Sequence, residues 1–324
     1  MTLPYLPRLV CLCLAAFFLV HLALGAIVSL IARPAVRMAA SLRPRVAARC
    51  LLVLRLLPAA GAAFTVIAVC LPSYLWLEPD APNERVAIGS LAVALLGIAA
   101  WGVSLFRGLR AAAGSRRFLR HCQQTGRLAR LPQGHADAWI VDGAEPLLML
   151  AGIVRPCLVI SRGVLVALSA GQLSAALRHE RAHWTSRDNL KRLCILLTPG
   201  ILPFAGASRS LERGWREFTE WAADDRAVAG SVRRSLALAT ALVRVARMTA
   251  GPPPVPLAIP LLGDADQLAA RVDRLLKPPR TQTSVPRPLL AVVAALLMAG
   301  LLALPILQPA ALHSVHQALE RFTG

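Results

Sequence analysis

The sequence predicts a mainly α membrane protein, with about four transmembrane helices and a cytoplasmic α+β domain inserted between spans three and four. Three observations carry that prediction. Hydrophobic residues make up 56% of 324, more than a soluble domain of this size carries, and the mean hydropathy is positive. Four stretches, about 9–31, 56–77, 86–106 and 289–307, are each long enough to cross the hydrocarbon of a bilayer. Arginine is distributed unevenly around them: Arg33, Arg37, Arg43, Arg45 and Arg49 lie between the first two, and Arg107, Arg110, Arg116, Arg117 and Arg120 follow the third.

Short arginine-rich flanks stay on the cytoplasmic side. The N-terminus is therefore expected outside, residues 107–288 inside, and the last residues outside. Glu78, Asp80 and Glu84 against Arg85 alone fit an external loop between spans two and three. The first span would read as a cleaved signal peptide were it not followed at once by the arginine cluster, which acts as a cytoplasmic anchor. Pro58, Pro72 and Pro305 sit near span ends or are tolerable kinks. The expected organisation is 1–110 with three spans, 111–286 as the cytoplasmic domain, 287–308 as the fourth span and 309–324 as a short external tail. Alanine-rich, arginine-for-lysine usage is that of a bacterium, so the membrane expected is the bacterial cytoplasmic one.

A net charge of +19 would suggest nucleic-acid binding in a soluble chain. Here much of the excess flanks membrane spans, and no aromatic-interleaved basic motif accompanies it, so anionic lipid is the expected partner and direct nucleic-acid binding is not. None of the 7 cysteines forms a C-x-x-C pair, which argues against disulfides and thiolate zinc ligation in a reducing compartment.

Within the central segment, Ala138–Val141 and Pro156–Ile160 read as short strands, punctuated by Gly143 and Gly163. Ser169-Ala-Gly-Gln172 has the form of a capping box and starts a helix with Leu173, Ala176 and Leu177 on its apolar face. That helix carries His179-Glu180-Arg181-Ala182-His183. Two imidazoles at i and i+4 share a helix face and grip one Zn2+, with the Glu beside them as base. Arg178, Arg181 and Arg187 exclude this helix from hydrocarbon. The apolar stretch 190–204, broken by Pro199-Gly200, reads as a buried or membrane-grazing hairpin and not a fifth span. A second helix is expected from about Arg209 to Ala229, ending at Gly230.

A catalytic zinc needs a third protein ligand. A metzincin would carry Gly and His where Ser186 and Asn189 stand, so that ligand must come from elsewhere. His21, His121, His135, His313 and His316 read as surface or packing residues. Carboxylates are scarce, so Glu217-Phe-Thr-Glu220-Trp-Ala-Ala-Asp224-Asp225 stands out on the second helix. Glu220 is the expected ligand. Asp224, one turn on, shares its face and can orient a ligating His. Arg226 and Arg271 are candidates for an oxyanion donor or for structural ion pairing.

H-E-x-x-H, Asp188 five residues after the second His, and E-W-A-A-D with Glu220 resemble the membrane-embedded gluzincin-type peptidases. The chain resembles the β-lactam-sensing antirepressor proteases of the BlaR and MecR type, whose plan is three spans, a cytoplasmic zincin-like zinc protease domain and a fourth span. The resemblance implies zinc on His179, His183 and Glu220, Glu180 as base, Asp224 as the partner behind a ligand, and an orienting or structural role for Asp188. The run Ile153-Val-Arg-Pro156 to Ser161 is similar to the strand that precedes the motif helix in these enzymes. The sequence departs from that plan beyond the fourth span, where only about 308–324 remain and no external sensor is expected. Its only lysines, Lys191 and Lys277, lack the S-x-x-K serine of such sensors.

The function expected is a membrane-anchored zinc metalloendopeptidase that cleaves a cytoplasmic regulatory protein, such as a transcriptional repressor, by Glu180-assisted attack of zinc-bound water. Its signal would arrive through the spans, the tail or a sensor partner. A quality-control or CAAX-type membrane protease and a non-catalytic transducer are the alternatives. The substrate backbone is expected to add to an exposed strand near Cys157–Ser161. The proline-rich segments 251–256 and 278–286 read as extended linkers.

Overall fold

A computed structural model describes residues 5–77, 88–131, 136–143, 146–200, 205–248 and 265–277. The expected fourth span, the external tail and both proline-rich linkers lie outside the described residues, as do His135, His313 and His316. Among the described residues, three helical stretches are long and apolar enough to cross a membrane: Tyr5–Ala39 (α1), Pro44–Leu75, and Ile88–Thr125 (α4). The second is composite: α2 (Pro44–Thr65) continues through a π-helical turn, Val66–Cys70, into α3 (Leu71–Leu77).

Each helix outruns the hydropathic stretch that announces it. α1 carries Arg33 and Arg37 in its last turns, and α2 begins at Pro44, whose fixed φ suits a first helical position. α4 continues past Phe106 through Arg107–Arg120 to Thr125. Hydropathy marks where lipid ends, and arginine is a good helix former, so the helix goes on into the polar region. The expected boundary at residue 110 therefore falls inside α4. Small residues set the spacing of the bundle: a Cβ added at Gly97 would lie 3.0 Å from the carbonyl oxygen of Leu14, so α4 and α1 meet backbone to backbone.

α4 delivers the chain to a four-stranded sheet: β1 (Arg127–Leu131), β2 (Ala136–Val141), β3 (Leu148–Ala151) and β4 (Cys157–Ser161), in the order β1-β2-β4-β3. β2 and β4 are parallel, and the outer strands pair antiparallel to them. Both faces are covered. Leu148, Leu150, Leu158 and Ile160 face α6 (Ala170–Ser186) and α9 (Val232–Met248), while Val141, Ala151 and Val159 face Phe118, Leu119 and Cys122 of the α4 extension. Burial on both sides explains why β3 reads as an unbroken apolar run with no polar alternation.

The strand expected to take substrate backbone is not available. β4 is interior, bonded to β2 on one side and β3 on the other, so its ladder is already filled. The outer edge next to the motif helix belongs to β3. Even there, Asn189 Nδ2 donates to the carbonyls of Leu150 (3.1 Å) and Gly152 (2.8 Å).

The remaining helices are α5 (Arg162–Ala167), α7 (Asp188–Leu197), α8 (Ala205–Val228) and α10 (Ala265–Leu276). α7 and α8 pack on the arginine-bearing ends of the membrane helices, where Val28, Ala32, Leu51 and Leu54 share one core with Ile195, Leu211, Trp215 and Phe218. Polar contacts fix the end of α7 and the first half of α8 deeper still. Arg55, 1% exposed, donates to Glu212 (2.8 Å) and to the carbonyls of Pro199 (3.2 Å) and Ile195 (3.4 Å) at the C-terminal end of α7, where helix carbonyls favour a cation. His21 Nε2 lies 2.8 Å from the carbonyl oxygen of Gly200. From Arg33 back to His21 is about 18 Å of helix at about 1.5 Å per residue, so Gly200 sits beside the apolar part of α1. Of this stretch, 190–197 are the body and end of α7, 198–200 follow it, and 201–204 lie outside the described residues.

Removing one partner of a buried ion pair leaves an uncompensated charge. Glu212→Ala is expected to destabilise the protein by about 3–5 kcal/mol, read as a lowered midpoint of thermal unfolding in detergent. The double variant Arg55→Met/Glu212→Ala should recover much of the loss. A single variant that melts like the wild type would show that this pair does not hold α8 to α2.

Candidate metal centre

Local chemistry positions the motif helix. Ser169 caps α6: its hydroxyl accepts from the backbone of Gln172, while Gln172 Oε1 accepts from the backbone N–H of Ser169 at 3.0 Å. Leu173, Ala176 and Leu177 bury the opposite face in the sheet core. The helix ends at Arg187, whose left-handed backbone (φ 54°) breaks the chain and starts α7 at once. That reversal swings Asp188 back to His183, with Oδ2 2.9 Å from Nδ1. Lys191 donates to the other oxygen of Asp188 at 2.7 Å.

α8 crosses α6 and supplies the facing carboxylates from one side of the helix. Glu220 Oε2 is 3.4 Å from His179 Nε2, and Oε1 is 3.5 Å from His183 Nε2. The two imidazole Nε2 atoms are 3.0 Å apart, with the rings edge to face. One turn along α8, Asp224 Oδ1 lies 2.9 Å from His179 Nδ1. Each imidazole therefore has a carboxylate behind its Nδ1 and turns Nε2 toward Glu220. Among the described residues, His179, His183 and Glu220 form the one group of His, Cys, Asp and Glu side chains close enough to share a metal ion.

Arg271, from α10, closes the cluster from the far side. It is 1% exposed, grips Asp224 with Nε (2.9 Å) and Nη2 (2.7 Å), and reaches Glu220 with Nη1 (2.9 Å). Of its two candidate roles, its contacts to Asp224 and Glu220 are ion pairs, and its Nη2 also lies 3.5 Å from His179 Nε2. Arg226 is not brought to the cluster. It donates to the Thr185 hydroxyl and to Ser186 Oγ (3.4 Å), clipping α8 to the end of α6. The contact of Asn189 went unread in the sequence, since nothing local ties an Asn to a strand edge 37 residues upstream.

The donor set fits a divalent cation. Glu180, Asp188, Glu220 and Asp224 are all buried, and the cations that meet them are Arg271 and Lys191. With carboxylates ionised and imidazoles neutral, the cluster is two negative charges in excess, and buried charge demands compensation. Without a metal, that excess acts on His179: burial pulls its pKa down, but Asp224 and Glu220 outweigh burial and carry it up to about 9. Glu180 differs from the other carboxylates. Both of its oxygens are buried without a hydrogen-bond partner, and burial raises its pKa to about 7. A carboxylate so placed has nothing structural to do, and both its oxygens are free to handle a proton.

Two imidazoles from one helix, a carboxylate from the next and an unpaired Glu beside them define a metallopeptidase-type centre. Residues 151–249, from the end of β3 through α9, match the model of peptidase family M48. The match covers the H-E-x-x-H helix and the Glu220–Asp224 face, and it supports a protease that depends on zinc. It leaves out β1, β2, the membrane helices and Arg271. No curated protein matches the chain.

Losing the carboxylate behind a ligating His costs about 10–100-fold in metal affinity. Asp224→Asn is therefore expected to weaken zinc binding by that factor in chelator competition, and Glu220→Ala to weaken it further. Zinc held by Glu220→Ala as tightly as by the wild type would remove Glu220 from the donor set.

Proposed function

We propose that the protein is a membrane-anchored zinc metalloendopeptidase that cleaves a regulatory protein at the cytoplasmic face of a bacterial inner membrane. The observation that carries the peptidase reading is the convergence of His179, His183 and Glu220 beside the unpartnered carboxylate of Glu180. The first three residues would hold the ion. Zinc, when bound, lowers the pKa of water and polarises a peptide carbonyl.

The chain's own groups account for the rest. Asp188 accepts a hydrogen bond from His183 Nδ1–H, and Asp224 Oδ1 stands 2.9 Å behind His179 Nδ1, an arrangement that favours both Nε2 lone pairs turned to the donor site. Arg271 keeps Glu220 and Asp224 ionised, with both carboxyls held below their ordinary range against the opposing effect of burial. Glu180 takes the proton of the attacking water and returns it to the leaving amine.

The location follows from charge. Arg33, Arg37, Arg45 and Arg49 lie at the end of the helix bundle against which α7 and α8 pack, which supports a catalytic domain on the cytoplasmic side. α8 carries Glu220 only two turns beyond the buried Arg55–Glu212 pair. Movement of α1 and α2, imposed by a sensor partner or by the membrane, would therefore reach a ligand directly. That coupling favours regulated cleavage of one or a few proteins, as in the antirepressor reading. Broad quality control is the second reading, and the family M48 match is compatible with both.

Glu180→Gln should keep zinc and abolish peptide cleavage, measured on a quenched fluorogenic peptide library. Undiminished cleavage would take Glu180 out of the reaction. A quantitative proteome of cells carrying that inactive variant is expected to show one or two stabilised proteins, whereas accumulation of many would point to quality control.

A further inference from the structure

A second cavity, of about 180 Å³, lies between α2, the α6–α7 turn and α8, behind the metal centre. Arg45 and Arg49 line it from α2, Lys191 from α7 and Ser186 from the end of α6, with the buried Trp215 and the small Ala222 on its α8 wall. Arg45 and Arg49 are one turn apart and share a helix face. Both are exposed, and neither meets a carboxylate among the described residues. The only acid on the wall is Asp188, which is buried and already engaged by His183 and Lys191. Two guanidinium groups and an ammonium thus converge on a space whose single carboxylate is spoken for.

Its position says what anion reaches it. Arg45 and Arg49 occupy the first two turns of α2, immediately before the apolar run that enters the membrane, and Leu52 lies on the cavity's wall one turn further in. This is the level of lipid headgroups, where a bilayer offers phosphodiesters at high local concentration. We propose that this cavity binds the phosphate of an anionic phospholipid headgroup, with Arg45 and Arg49 as its principal donors. Guanidinium forks match phosphate oxygens in geometry as well as charge. Lys191 belongs both to this wall and to the ion pair that holds Asp188 against His183, so an occupied site sits one ion pair away from the metal centre. The proposal stands independently of the peptidase reading.

The test uses the full chain in nanodiscs of phosphatidylcholine with a minor fraction of phosphatidylglycerol, with retained lipid read by native mass spectrometry after release. The wild type is expected to retain one phosphatidylglycerol. Arg45→Gln/Arg49→Gln should retain about tenfold less or lower still, since it removes both guanidinium donors of the cavity. Arg45→Lys/Arg49→Lys should keep part of the binding, and Arg33→Gln/Arg37→Gln, which alters the same end of the bundle outside the cavity, should retain lipid like the wild type. Equal loss in the Arg33/Arg37 variant would show a diffuse field and overturn the site, as would unchanged retention in the Arg45/Arg49 variant. Titrated inorganic phosphate should not displace the lipid. If it does, through Arg45 and Arg49, the source assigned here is wrong.

Discussion

The structure turns on a concentration of buried charge between two crossing helices. Four carboxylates and two imidazoles meet where α6 packs on α8, and Arg271 and Lys191 answer only part of the negative charge. Such a cluster is unfavourable unless a cation completes it, because desolvation of carboxylates in a protein interior costs several kcal/mol each, on the order of the whole net stability of a domain. The constraint is met by geometry. The capping box sets the phase of α6, the left-handed turn at Arg187 returns Asp188 to His183, and α8 presents Glu220 and Asp224 one turn apart.

That cluster is also joined mechanically to the membrane helices. α8 is a single 24-residue helix whose first half pairs with Arg55 and the α1–α2 core and whose second half carries Glu220 and Asp224. α4 runs from its apolar section into the layer that backs the sheet. Among the described residues, the sheet and its helices are therefore joined to the bundle through α4 and α8. α8 takes part in both cores, through Leu211, Trp215 and Phe218 on the bundle side and Ala227 on the sheet side, so displacement of α2 against α1 would be felt at Glu220.

Sequence signals were strong where chemistry is local. The H-E-x-x-H spacing, the Ser169–Gln172 box, the Glu220–Asp224 pair and Gly230 after α8 are relations within one or two helical turns, and each stands in the structure as the spacing implies. The two central strands were legible for their β-branched and apolar residues. β1 and β3 were missed for different reasons: β1 is arginine-rich, and β3 is four apolar residues whose burial on both faces erases alternation. Helices α9 and α10 also went unread, although α10 delivers Arg271 to the cluster from 47 residues beyond Asp224. Contacts such as Arg55–Glu212, Asn189–Leu150 and His21–Gly200 depend on how elements dock, which no short-range pattern reports.

The most direct measurement is X-ray absorption at the zinc K-edge on the purified full-length protein. The account predicts a first shell of nitrogen and oxygen only, at about 2.0–2.2 Å, with the outer-shell scattering of two imidazoles. A sulfur shell at about 2.3 Å, a single imidazole, or no zinc retained at neutral pH would contradict it.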